Sequence, residues 1–419
     1  MAGTDAAAAI DAVWRIESPK LIAALTRVVR DVGVAEDLAQ DALVAALEQW
    51  PAEGIPRNPG AWLMAAAKHR AIDVFRRGKM LDSKHAEISR DLDAEQRRMP
   101  DLDAALDDEV GDDLLRLIFI ACHPVLSMEA RVALTLRLLG GLTTDEIARA
   151  FLTPEPTVAQ RIVRAKKTLA KEQVAFEVPR GAELDARLSS VLGVLYLIFN
   201  EGYTATSGGD WIRPALCEEA LRLGRILAEL APEASEVHGL VALMEIQASR
   251  LRARVDAGGR PILLLDQNRA MWDRLLIRRG LDAIARAERL GGTRGPYLLQ
   301  ASIAACHARA VEAADTDWPR IVQWYDELAR VAPSPVVDLN RAVAVGMASG
   351  PQAGLDALDC LRDHPALAGY HLLPTVRGDL LAKLGRTDEA RAELERAALL
   401  TRNERERELL LERAKLWRP

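Results

Sequence analysis

Apolar residues recur every three or four positions along most of this chain, and sustained alternation of β-branched residues is missing. That pattern predicts an all-α protein. Residues 8–31 read as two helices, the second opened by Ser18 as cap with Pro19 at its first position. Residues 34–50 form an amphipathic helix whose polar side includes Glu36, Asp37, Gln40, Asp41 and Glu48 and carries no base. A loop over 51–59 closes on Asn58 as cap and Pro59, and a helix follows over 60–77. Large apolar residues thin out over 80–113 and return at Leu114, where a compact helical unit runs to about Lys171. Within it, Thr143 or Thr144 caps one helix, with Asp145 and Glu146 in its positive first turn. Thr153 is expected to cap a second, with Pro154 at its first position. On that second helix Val158, Ile162, Ala165 and Leu169 share a face and are expected to be buried.

After a break at residues 178–181, the helical period continues as hairpins over 183–419. Near the end, Leu380-Leu381-Ala382-Lys383-Leu384-Gly385-Arg386-Thr387-Asp388-Glu389-Ala390-Arg391-Ala392-Glu393-Leu394 has the form of a tetratricopeptide (TPR) repeat. Its small residues let paired helices approach closely. Gly354-Leu355-Asp356-Ala357-Leu358 matches Ala390 to Leu394 at an offset of 36. Residues 297–307 and 318–331 read as degenerate members of the same stack, and arrays of this kind bind protein.

Composition adds limits. A chain of 419 residues is too long for one small domain, so two or three are expected, and 49% hydrophobic residues suffice for their cores. The N-terminus lacks a basic start before an apolar run, and no stretch approaches the roughly 20 apolar residues of a membrane helix. A cytoplasmic protein with no membrane contact is expected. The four cysteines, Cys122, Cys217, Cys306 and Cys360, stand singly without a C-x-x-C pair, so free thiols are expected and zinc is not. Cys122-His123 and Cys306-His307 read as core thiols beside structural histidines. No metal site and no cofactor are expected.

Charge is unevenly spread. The whole chain carries −6, yet residues 131–172 hold eight Lys/Arg against four Asp/Glu. Residues 61–80 hold five bases against one acid, whereas 80–113 hold twelve acids against four bases and read as a flexible acidic linker. Opposite the apolar stripe of the helix after Pro154 lie Thr157, Gln160, Arg161, Arg164 and Lys167, a set suited to a major groove. The preceding helix and turn complete a helix-turn-helix. Around 60–77, Trp62 among Lys68, Arg70, Arg76 and Arg77 offers a ring for stacking and charge for phosphates. The one-sidedly acidic helix with Asp37, Gln40 and Asp41 suggests a docking surface for a basic protein.

Two runs further on resemble sites less closely. Residues 199–210 are Gly-rich but lack the G-x-x-x-x-G-K-[ST] pattern, and are expected to be a helix-ending loop. Residues 263–274 space Asp266 and Asp273 seven apart beside two arginines, without a nucleophile or ligand set, and read as capping and ion pairing. No enzyme is expected.

The order of these parts resembles the extracytoplasmic-function (ECF) sigma factors of bacterial RNA polymerase. Ala35-Glu36-Asp37-Leu38-Ala39-Gln40-Asp41 and Ala61-Trp62-Leu63 with Ala71-Ile72-Asp73-Val74-Phe75-Arg76-Arg77 resemble sigma region 2. Gly141-Leu142-Thr143-Thr144-Asp145-Glu146-Ile147-Ala148 and Thr157-Val158 with Arg161 and Arg164-Ala165-Lys166 resemble region 4. Leu195 to Tyr203 and the Asp266-Gln267 to Trp272-Asp273 run look like the ECF group with a large TPR-like C-terminal domain. The sequence departs from the family at Pro154-Glu155-Pro156 and Ala159, which shifts the expected start of the second helix.

The resemblance implies an all-α chain with a region 2 domain at 1–79, an acidic linker at 80–112, a region 4 domain at 113–178 and a TPR-like domain at 179–419. It implies transcription initiation without enzymatic activity. Asp37, Gln40 and Asp41 would dock on the β′ clamp of core RNA polymerase, and region 4 would sit on the β flap. Arg57, Asn58, Trp62, Lys68, Arg70, Arg76 and Arg77 would bind the −10 element of promoter DNA, and Thr157, Gln160, Arg161, Arg164 and Lys167 the −35 element. Asn200, Glu201, Tyr203 and Trp211 are candidates for contacts between domains. A DGPF-type (YCII-related) or other regulatory protein is a candidate partner. The alternative is a helix-turn-helix regulator with a TPR sensing domain.

Overall fold

Helix α1 (Ala2–Val29) is one continuous element and not the expected pair. Pro19 lies inside it, and the buried Ser18 hydroxyl has no hydrogen-bond partner, so no cap forms there. An interior proline costs about 3 kcal/mol. Ile10, Trp14, Leu21, Ile22 and Leu25 are all buried on the same helix, and at roughly 1.5–3 kcal/mol per large side chain that burial wins. The cap forms later. Asp31 accepts N–H bonds from Gly33 (2.7 Å) and Val34 (3.0 Å) and starts α2 (Val32–Glu53).

The structure, a computed structural model, describes residues 2–70, 110–151, 153–205 and 210–416. The chain divides by contact into two compact units, residues 1–194 and 195–419. All regular elements among the described residues are helices, and β pairing is confined to an isolated bridge between Val255 and Pro261.

In the first unit α1 and α2 are followed by helix α3 over residues 59–70. Asn58 opens it as expected, its side-chain oxygen accepting the Ala61 N–H at 3.1 Å. Among the described residues, helices α4 (Val110–Ala121), α5 (Met128–Leu138), α6 (Thr144–Ala150) and α7 (Glu155–Lys171) come next. Their shared core includes Leu117, Phe119, Leu134, Leu136 and Leu138, all buried. Helix α8 (Ala182–Tyr203) begins on this unit. Arg187 donates to the Phe119 carbonyl at 2.9 Å, and Ser190 to the Cys122 carbonyl at 2.7 Å.

The second unit continues as helical pairs: α9 (Pro214–Leu230), α10 (Ser235–Ala248), α11 (Arg274–Leu290) and α12 (Pro296–Arg309). Then come α13 (Trp318–Val331), α14 (Pro335–Ser349), α15 (Pro351–Asp359), α16 (Leu372–Lys383), α17 (Thr387–Leu400) and α18 (Glu404–Lys415). Small residues set the closest approach. A methyl on Gly354 would stand 2.7 Å from the Gly346 Cα, so α14 and α15 meet backbone to backbone.

Candidate nucleic-acid interface

The helix-turn-helix is built by α6, a turn and α7. A reciprocal capping box starts α6: the Thr143 hydroxyl accepts from Glu146 N–H (3.2 Å), and the Glu146 carboxylate accepts from Thr143 N–H (2.8 Å). Burial acts to raise the Glu146 pKa. The Thr143 bonds and the Arg15 guanidinium at 2.7 Å outweigh it and hold the carboxyl below its ordinary value. The second helix starts one residue later than expected. Pro154 occupies the cap position with no side-chain cap, Glu155 is the first helical residue, and the Thr153 hydroxyl donates to the Phe151 carbonyl. A proline at the cap position leaves Thr153 outside the helix, which explains the shift.

Val158, Ile162, Ala165 and Leu169 of α7 are buried, as the period requires. That fixes the opposite face. Thr157, Gln160, Arg164 and Lys167 are exposed and Arg161 is half-buried. Thr157, Gln160, Arg161 and Arg164 line an open cleft of about 400 Å³ whose other wall includes Val125 and Ser127. All five predicted groove-reading residues therefore lie on one helix, four of them around one opening.

Lys166 points elsewhere. Its ammonium pairs with Glu36 on α2 and stands 3.9 Å from Asp37. Glu36 is buried and also accepts from Arg137 of α5 at 2.6 Å. The sequence reading placed Glu36 among the polar residues of the one-sidedly acidic face of α2. Its signal was present, since position 36 falls between Val32 and Ala39 on the buried stripe of that helix. The carboxylate of Asp37 is 82% exposed, whereas Gln40 and Asp41 are half-buried.

On the segment after α2, Arg57 and Asn58 are exposed. Trp62 is half-buried and meets the buried Trp50 edge-on, ring centroids 5.2 Å apart. Arg70 pairs with Asp41 at 3.3 Å, so a base proposed for DNA and an acid proposed for polymerase share one ion pair. Lys68 is half-buried, and Arg76 and Arg77 lie outside the described residues.

Over 387 residues the chain is 42% identical to the uncharacterized protein R00370 of Rhizobium meliloti (strain 1021), covering 92% of this chain and 90% of that one. The chain belongs to the family of that protein. Residues 14–80 match the sigma-70 region 2 family, 116–169 the sigma-70 region 4 family, and 187–288 a family of unknown function, DUF6596. The probable ECF RNA polymerase sigma factor SigI of Mycobacterium tuberculosis (strain ATCC 25618 / H37Rv) is 27% identical over 172 residues, 40% of this chain and 57% of that one. No solved structure matches. Sigma-70 region 2 followed by sigma-70 region 4 indicates a sigma factor, a protein that directs RNA polymerase to promoters.

In the second unit, the four residues expected at a domain contact have partners within that unit. Glu201 is buried and pairs with Arg213. Tyr203 stacks on Phe199 at 5.8 Å, and the Arg254 guanidinium lies 3.6 Å from its ring centroid and 5.7 Å from that of Trp211. The Asn200 carbonyl accepts from Thr204 N–H. Asp273 caps α11 through Leu275 and Leu276 N–H, as the capping reading of 263–274 requires, while Asp266 is exposed. Cys122, Cys217 and Cys306 are buried and Cys360 is exposed. Burial pushes the Cys122 thiol up to about 11 despite its Thr135 neighbour. Among the described residues no helix is long and apolar enough to cross a membrane, and no three His, Cys, Asp or Glu are grouped to hold a metal.

Proposed function

We propose that this sigma factor is of the ECF type. It lays α7 in the major groove of a −35 element while residues 57–77 bind and help melt a −10 element. The seating of α7 carries the reading: with Val158, Ile162, Ala165 and Leu169 buried, helix geometry holds Thr157, Gln160, Arg164 and Lys167 outward. Arg and Gln read base edges in pairs of hydrogen bonds, and Lys holds phosphate. Asp37, Gln40 and Asp41 form the surface for the β′ clamp, and region 4 sits on the β flap. The functional division runs 1–79, 80–112, 113–178 and 179–419. The last part is a TPR-like, non-enzymatic domain that regulates the others in the cytoplasm, and a DGPF-type (YCII-related) protein is its candidate partner.

Run-off transcription with core polymerase on the DNA upstream of the chain's own gene tests this. A transcript that needs both chain and core is expected. Tight duplex binding without polymerase, and no transcript with it, would replace the reading with a helix-turn-helix regulator. Reversing Asp37 and Asp41 to Lys should weaken capture of core polymerase at least tenfold, and capture at wild-type strength would remove the docking assignment.

A further inference from the structure

The two sigma regions are packed on each other, and the contact uses the DNA-reading helix itself. Glu36 of α2 is buried between Lys166 of α7 and Arg137 of α5. A carboxylate removed from water is strongly unfavourable unless paired, so each of these cations fixes it in place. Three further contacts join the same halves. Arg15 of α1 pairs with Glu146 of the helix-turn-helix at 2.7 Å. Arg27 of α1 pairs with the buried Asp113 of α4 at 3.1 Å. Gly141, at φ +66°, enters the turn before α6, where a methyl would stand 3.3 Å from the Arg15 Cα. A side chain here would crowd α1, and the positive φ favours glycine in any case.

This arrangement and promoter binding exclude each other. The −35 and −10 elements are named for positions about 25 base pairs apart, which is on the order of 85 Å of duplex at ~3.4 Å per pair. Here α7 and α2 touch through Lys166 and Glu36. We propose that the free chain is held closed by its own region 2 to region 4 contact, with Glu36 as the counter-ion that docks Lys166 and Arg137. Engagement of polymerase and promoter requires that contact to break. The inference rests on the sigma reading for what the closed state prevents. It adds that region 2 masks part of region 4, and that Lys166 is withheld from DNA until release.

The geometry supplies its own test. A Cβ built on Gly33 lies 3.8 Å from the Lys166 Cβ, within the roughly 3.5–4.5 Å that a disulfide spans. In the full chain with Cys360→Ser, the pair Gly33→Cys and Lys166→Cys should cross-link nearly completely under mild oxidation. The oxidised chain should lose run-off transcription at least tenfold and regain it on reduction, while the single variants respond to neither. Lys166→Cys gives up one cation of the lock, but Arg137 still pairs with Glu36 and the Arg15 and Arg27 contacts remain. Failure of the pair to cross-link in the free, folded chain therefore overturns the closed arrangement. Transcription by the cross-linked chain equal to that of its reduced form overturns the need to open. If neither wild type nor variant transcribes, the sigma reading fails, and cross-link yield still decides the closed arrangement. Glu36→Gln provides a second measurement. It should speed formation of the promoter complex several-fold, and an unchanged rate counts against the lock.

Discussion

His307 shows how far one environment moves a side chain. It is buried, its ring meets Trp318 edge-on at 5.2 Å, and burial, then Arg250 and Arg269, hold its pKa down to about 3. The arginines themselves are buried against ring faces. Arg254 covers Tyr203, Arg250 lies within 5.8 Å of Tyr203 and 5.7 Å of Trp272, and Arg269 lies 4.8 Å from Trp272. Arg269 also donates to the His307 and Ala310 carbonyls. Cation–π contacts and carbonyls thus replace water for these cations. A linkage follows for His307. Above its unfolded pKa of 6.5 both states are neutral and it contributes no pH dependence. As pH falls from there toward the folded value, only the unfolded state takes the proton, so stability is lost at up to roughly 1.4 kcal/mol per pH unit. His307→Gln should flatten the unfolding free energy between pH 6 and 4 relative to wild type. Parallel curves for the two chains would contradict the neutral histidine.

At the scale of elements, the helix-turn-helix depends on its caps and on one face. Thr143→Ala removes half of the capping box and should destabilise α6 by about 1 kcal/mol, seen as faster hydrogen exchange there. Glu146→Gln should act in the same direction. Because the Glu146 carboxyl sits below its ordinary pKa, its contribution is present at neutral pH and lost as pH falls through the folded value. On α7, Arg161→Ala and Arg164→Ala should each weaken −35 recognition by roughly 1–3 kcal/mol if they read bases, and weaken all sequences alike if they hold phosphate. Wild-type transcription from both variants would move the reading face elsewhere. The buried stripe of α7 was legible because a 3.6-residue period is a local property. The Ser18–Pro19 start was not, since burial across α1 overrides a local stop signal. Nor was the Glu36 lock, whose partners lie 101 and 130 positions away at Arg137 and Lys166.

For the molecule as a whole, long-range closure is what the sequence conceals best. The run at 199–210 reads as a helix-ending loop; its first residues, 199–203, are the last turn of α8, and Ala205 and Asp210 are met from the far end of the chain. Asn403 is buried at 1% exposure, and its side-chain amide donates to the Ala205 carbonyl at 3.0 Å and the Asp210 carbonyl at 2.8 Å. Its oxygen accepts from Glu406 N–H at 3.1 Å and caps α18. One side chain therefore starts the last helix and ties it to Ala205 and Asp210, some two hundred residues earlier. The two roles are separable by chemistry. Asn403→Asp keeps the cap acceptor, which on capping grounds alone is neutral. It also replaces the donor by an oxygen facing two carbonyls, of which that of the buried Ala205 then lacks a partner, at about 1–3 kcal/mol. Asn403→Ala loses both roles. The expected order of stability for α18, measured by hydrogen exchange of its amides, is wild type first, with both variants lower by several-fold to a hundredfold in protection. An Asn403→Asp chain as protected as wild type would mean that the cap alone matters and that the tie to residues 205 and 210 contributes nothing.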